Sequence, residues 1–245
     1  MDPDAHLVAV DRELAAFVAA VADGPLDADV PTCPDWDVDG LAAHVGFLCG
    51  FWAHLFCDAA GVERTPFAPE PGPEGRLAWL EGLAASLLPL LHDTPAEAEV
   101  WTWYEPDQTA RFWRRRIAHE LAVHRVDAQS ARGTVQPIEA DLAVDGIDEL
   151  LLLASTEGPS GPRGVPGSGE TLHVHGTDHD GAEWLVTLAP GGLEVEQVHA
   201  KGDLALRGAV SDLELLLYQR PPLGAIERFG DEAALAAFHR AFTFG

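Results

Sequence analysis

Three side chains in this sequence have the types and spacing to hold one divalent metal ion: His44, Glu120 and His124. Glu120 and His124 are four residues apart, which on a helix of 3.6 residues per turn separates them by about 40° and lets both converge on a single point. His44 lies in a different apolar-periodic segment, three residues after Leu41 and four before Leu48, so its imidazole points to the same interior as those leucines and can supply a third ligand. Two imidazoles and one carboxylate are the protein ligands of many catalytic zinc sites, in which a fourth position stays open to water or substrate. Nickel, iron or manganese suit the same donors. The residues alone also admit a plainer reading, with a satisfied core histidine at position 44 and an ordinary ion-paired helix face at 120 and 124.

The elements that must position these groups are legible as periodicity. Leu7, Val10, Leu14, Phe17, Val18 and Val21 predict a first amphipathic helix ending near Gly24-Pro25. Asp37 is the expected N-cap of a second, whose stripe is Val38, Leu41, Val45, Leu48, Trp52 and Leu55 and whose end is near Gly61. A turn-rich connection from Pro66 to Pro73 leads to a third over Glu74 to His92, with Pro89 expected to loosen its last turn. A fourth spans roughly residues 108 to 132, ended by Gly133, and Ile117, Glu120, Leu121, His124 and Ala128 form its inward stripe. Four such helices in succession predict an antiparallel bundle.

The pattern changes near Thr134-Val135-Gln136-Pro137. A fifth helix is expected over Ala140 to Leu153, then a flexible Gly-, Pro- and Ser-rich loop from Thr156 to Thr171. LHVHG, EWLVTLA, LEVEQV and DLALRGA follow as short β-type runs divided by Asp-Gly, Gly-Gly and Gly-Asp, which predicts hairpins in an antiparallel sheet. Ser211-Asp212 is expected to cap a helix through Leu217, and Asp231 to Phe242 a terminal one. The expected domains are residues 1–135 and 136–245, and a hydrophobic fraction of 47% is ample for two cores.

Several other groups invite chemistry and are better read structurally. The run His119-Glu120-Leu121-Ala122-Val123-His124 resembles the zinc-protease HExxH, but its histidines are five apart, roughly 140° around the helix, and cannot share a metal. His173 and His175 share a strand face, with His179 in the next turn, and would make a second metal site only if the fold converged them. Trp36, Trp52, Trp101, Trp103 and Trp113 read as core or pocket wall, and Cys33 as a small packed residue before Pro34.

Forty acidic residues against fifteen basic ones give a formal charge of -25, a surface that repels phosphate backbones and anionic headgroups, so neither nucleic acid nor membrane is an expected partner. The N-terminal segment does not read as a signal peptide, and no apolar stretch reads as long enough to span a bilayer. With three cysteines, Cys33, Cys49 and Cys57, in no metal-type spacing, reduced thiols in the cytoplasm are expected.

Two motifs carry a family resemblance: C-P-D-W-x-V-x-x-L-x-x-H from Cys33 to His44, and R-R-x-x-H-E-x-x-x-H-R-x-D-A from Arg115 to Ala128. Together they resemble the mycothiol-dependent maleylpyruvate isomerase family, whose N-terminal domain is a DinB-like metal-binding four-helix bundle. The stretch from about Leu172 to Phe242, with G-A-V-S-D-L-E-L-L-L-Y-Q-R ending at Arg220, is similar to that family's sterol-carrier-like α/β domain. The resemblance implies that His44, Glu120 and His124 bind Zn2+ or another divalent ion such as Ni2+. It further implies that mycothiol, a low-molecular-weight thiol, is the co-substrate, acting on a small molecule by isomerisation or S-transfer. Arg220 matches the family's C-terminal arginine and could clamp a substrate carboxylate across the domain interface, as could Arg207, for which a surface ion pair is preferred. Arg125 and Asp127 are expected to support the interdomain contact or the ligands. The alternative from another class is a non-catalytic lipid or small-molecule binding protein with a structural metal.

Overall fold

Four apolar stripes become four helices in the computed structural model: α1 (Pro3–Ala22), α2 (Val38–Ala60), α3 (Pro73–Asp93) and α4 (Ala110–Ser130). The structure describes residues 1–64, 66, 69–156 and 167–242. The helix ends follow from local chemistry. The Asp2 carboxylate accepts the Asp4 and Ala5 N–H groups at the start of α1, and Asp37 accepts the Gly40 N–H at 2.8 Å at the start of α2. Gly61, at φ 65°, closes α2 in the left-handed conformation that glycine adopts without penalty. Pro89 lies inside α3.

α1 packs along α4 and α2 along α3, while α1–α3 and α2–α4 contacts complete the bundle. Gly46 is what lets α3 close on α2, because a Cβ there would sit 2.1 Å from a ring carbon of Trp79. By length and composition α2 would suffice to cross a membrane, contrary to the sequence expectation. Here its apolar face, including Leu41, Val45, Trp52 and Phe56, is buried in the bundle. Arg125 of α4 donates through Nε to Glu13 of α1 at 2.5 Å, with both side chains only 4% exposed, and through Nη1 to the Gln136 carbonyl.

The chain divides into two compact units, Met1–Gln136 and Pro137–Gly245. The second begins with α5 (Ala140–Ala154) and contains β1 (Glu170–Gly176), β2 (Glu183–Ala189), β3 (Gly192–Glu196), β4 (Leu204–Gly208), α6 (Val210–Leu217), β5 (Glu227–Gly230) and α7 (Ala233–Ala241). Most of the expected flexible loop lies outside the described residues. Leu172, Val174, Trp184, Val186, Leu204 and Leu206 bury one sheet face, where the Trp184 indole donates to Asp148 of α5 at 2.7 Å.

The strand order is β3-β2-β1-β4-β5, and β4 runs parallel to β1, so the sheet is mostly but not wholly antiparallel. The reason is topological. A β1-β2-β3 meander is followed by residues 197–203, which carry the chain back past β2 and β1 instead of making another hairpin. Gly202 lies so close to β1 that a Cβ there would come within 2.8 Å of the His173 nitrogen. β5, with every residue exposed, lacks the apolar alternation that would have marked it as a strand. Ser211 and Asp212 lie inside α6 and do not cap it: Ser211 Oγ accepts the Ile138 N–H, and Asp212 accepts those of Leu223 and Gly224.

The buried α1–α4 ion pair generates a stability prediction. Arg125→Met should destabilise the protein by about 2 kcal/mol by removing the charge-assisted bond to Glu13 Oε2, since Arg12 still holds Oε1 at 2.9 Å, and adding Glu13→Leu should recover much of that loss. Urea unfolding followed by tryptophan fluorescence measures both, and equal stability of the single variant and the parent would contradict the pairing argument.

Candidate metal centre

The Cys33–His44 motif is a folded turn followed by a helix start. Cys33 N–H donates to the Val30 carbonyl and Trp36 N–H to the Cys33 carbonyl, each at 2.9 Å, while Val30 N–H returns to the Trp36 carbonyl at 3.0 Å. This knot places Trp36 immediately before the Asp37 cap, with its ring 4.9 Å from that of His44, two turns into α2, and stacked at 6.5 Å on that of His124. The rings of His44 and His124 are 5.0 Å apart, edge to face. Along α4, Glu120 Oε2 lies 3.5 Å from His124 Nε2. The structure thus brings His44, Glu120 and His124 together beneath Trp36.

Asp127, fully buried, lies 3.0 Å through Oδ2 from His124 Nδ1. That contact fixes the ring and turns Nε2 toward Glu120, the arrangement in which a carboxylate orients a ligating imidazole. Arg116, one turn before Glu120, pairs with its Oε1 at 3.2 Å. His119 packs against the ring of His6 on α1 at 6.0 Å, away from the triad, which is the structural counterpart of the failed HExxH spacing. The Glu120 side chain is 34% exposed and His44 is half-buried, so the stripe read as interior opens partly to solvent at this point.

The electrostatics suit a cation. Burial works to raise the Glu120 pKa, but Arg116, His124 and His44 overcome it and hold the carboxyl at about 2. Burial works to lower that of His124, and its contacts with Asp127 and Glu120 overcome this and hold the imidazole at about 9. Burial first, and then the neighbouring His124, push His44 below the ordinary histidine range, leaving it neutral with a lone pair to offer. Once His124 gives up its Nε2 proton, two imidazoles and an ionised carboxylate at one place match the donor set of a divalent transition ion.

The remaining candidates fall elsewhere. Arg220 follows α6 and Gln219, whose φ is 63°, and it is buried with Nη1 donating to the Tyr218 carbonyl at 2.8 Å. Arg207 pairs with Glu227 at the surface at 2.6 Å. Burial pushes the Cys49 thiol up to about 12, which removes it as a nucleophile at neutral pH. His173 and His175 both approach Glu183, whereas His179 pairs with Asp141 of α5. Trp36, one of the tryptophans read as core or pocket wall, stands one residue before a helix cap and walls the triad.

The profile of the mycothiol maleylpyruvate isomerase N-terminal domain family matches residues 7–129. The chain belongs to that family. Two solved structures share the fold of nearly the whole chain. A histidine-to-alanine mutant of the mycothiol-dependent maleylpyruvate isomerase superposes with a TM-score of 0.67 at 16% identity over 93% of each chain. A second structure of the mycothiol-dependent maleylpyruvate isomerase gives 0.63 at 14% identity, again over 93% of each. No curated protein sequence matches this chain.

The Asp127 contact predicts that Asp127→Asn lowers divalent-ion affinity at the triad by about 10- to 100-fold without unfolding the protein. Zinc titration against a chromophoric chelator, referenced to the His124→Ala protein, reads this directly. An unchanged affinity would show that the carboxylate does not orient the ligand.

Proposed function

We propose that this protein is a divalent-metal-dependent enzyme that uses mycothiol or a related thiol, isomerising a maleylpyruvate-type substrate or transferring the thiol to an electrophile. The observation that carries the reading is the meeting of His44, Glu120 and His124 beneath Trp36, with Asp127 behind His124. Those three side chains would hold the ion, Zn2+ or another such as Ni2+. A divalent ion lowers the pKa of a thiol it binds and so supplies a thiolate at neutral pH.

The chain's own residues do the rest. Asp127 keeps His124 in the tautomer that presents Nε2, Arg116 steadies Glu120, and Trp36 walls the site with an apolar face. In the isomerisation a thiolate adds to the activated double bond, the new single bond rotates, and expulsion of the same thiolate restores the alkene in the trans form. No net redox change is needed. If the substrate instead carries a leaving group, the same nucleophile gives S-transfer. We assign the metal chemistry to the bundle and a sterol-carrier-like fold to the α/β unit. Arg220 is the proposed cationic partner of a substrate carboxylate, in a cytoplasmic enzyme whose acidic surface offers anionic small molecules few alternatives.

Assay with mycothiol and maleylpyruvate, alongside epoxide and alkyl-halide acceptors, tests the reading. Activity should vanish on chelation, return with Zn2+ or Ni2+, and fall by more than about 100-fold in His124→Ala. Turnover that survives chelation, or in His124→Ala, would refute it. Arg220→Ala should raise KM for a dicarboxylate by about 10- to 100-fold, the loss of one charge-assisted contact, with a smaller effect on kcat. An unaltered KM would remove Arg220 from substrate binding.

A further inference from the structure

The α/β unit presents a second group of donors, independent of the bundle triad. His175 lies opposite Glu183 in the β1–β2 register, and His173, two residues earlier on β1, points to the same face. The crossover that follows β3 brings in His199. The three imidazoles converge on one atom: His173 Nε2 is 3.0 Å and His175 Nδ1 2.9 Å from Glu183 Oε1, and His199 Nδ1 contacts the same oxygen. All four donor atoms lie within 4.8 Å of one another. The bundle triad is not drawn together that tightly.

As a hydrogen-bond network this arrangement is over-subscribed. A carboxylate oxygen has two lone-pair directions, yet three ring nitrogens address this one, and all three would have to be the protonated nitrogen at once. A cation among the four donors resolves the conflict, since each histidine then offers a lone pair instead of a proton. Ligands about 2.0 to 2.1 Å from a tetrahedral zinc are about 3.3 Å from one another, near the 3.0 and 2.9 Å that separate His173 and His175 from Glu183. Three imidazoles and one carboxylate select zinc or a neighbouring first-row ion over magnesium or calcium.

We propose that His173, His175, Glu183 and His199 form a second divalent-metal site in this protein, closed by four protein ligands and built for zinc or a similar first-row cation. The fold gives it a purpose. Residues 197–203 must travel about 14 Å, three strand spacings, to reach the far side of β1. The two ends of this segment are held, Gln197 donating to Asp148 of α5 at 3.2 Å and Asp203 accepting the Thr171 N–H of β1 at 2.9 Å, and His199 lies between them. A metal bound by His199 pins this segment to β1 and β2, and a four-ligand shell is the form structural sites take. A cation can reach it, because His199 is 77% exposed and His175 and Glu183 line an open surface groove of about 760 Å³.

The test is zinc stoichiometry and affinity on the full chain, stripped with chelator, reloaded, desalted and measured by elemental mass spectrometry. The comparison uses His124→Ala, His199→Ala and the double variant; His199 is exposed enough for its loss not to unfold the protein. Two equivalents are expected in the parent, one in each single variant and none in the double. In the His124→Ala background, His199→Ala and Glu183→Gln should each weaken zinc by more than about 100-fold, beyond the effect of losing an outer partner. Zinc should also raise the melting temperature of His124→Ala but not of the double variant. One equivalent in the parent that is lost in His124→Ala and kept in His199→Ala would overturn this proposal alone. One equivalent that is kept in His124→Ala and lost in His199→Ala would support it and remove the metal from the functional reading. No bound zinc in any protein would overturn both.

Discussion

Removing an ionised side chain from water costs several kcal/mol unless a partner replaces the lost hydration. Helix α4 of the bundle removes many. Along α4, Arg114, Arg116, His119, His124, Arg125 and Asp127 are all buried. Their partners pull in chain from elsewhere. Arg114 reaches Asp4 of α1 and the carbonyls of Leu91 and Thr94, Arg125 reaches Glu13 and the Gln136 carbonyl, and Arg116 and Asp127 bracket the Glu120–His124 pair. Apolar stripes make the bundle form, and these polar contacts restrict how its helices sit.

The same constraint shapes the candidate site around His44, Glu120 and His124. Glu120 and His124 are held in opposite charge states by their neighbours, and His44 alone among the three is driven neutral. His124 has one nitrogen committed to the Asp127 carboxylate and the other facing Glu120, so a cation entering here would displace the Nε2 proton and take its place between the two side chains. The C-P-D-W turn contributes by placement. Its backbone hydrogen bonds deliver Trp36 to the top of the triad, while the thiol of Cys33 sits in the turn itself.

In the α/β unit the sheet divides its labour between faces. One is uniformly apolar and covered by helices; the other carries three histidines and a glutamate where the crossover passes. β1 serves both, with Leu172 and Val174 on one side and His173 and His175 on the other. The alternation of a strand is sufficient to make that division, but not to say which polar residues meet.

Local chemistry was enough to place most of the architecture. Apolar steps of three and four located the helices to within a few residues, Asp37 and Gly61 set the ends of α2, and alternation found β1 to β4, because these features depend on near neighbours in sequence. The i,i+4 relation of Glu120 and His124, and the mismatch that disqualifies His119, were likewise properties of one helix. What sequence could not determine were meetings across elements. These include His44 and Trp36 closing on His124, Arg125 finding Glu13, β4 lying parallel to β1, and His199 with Glu183, in place of His179, joining His173 and His175. Each depends on how rigid elements dock and where a connecting segment crosses, and those are set by the sum of side-chain packing over the whole unit, which no local spacing encodes.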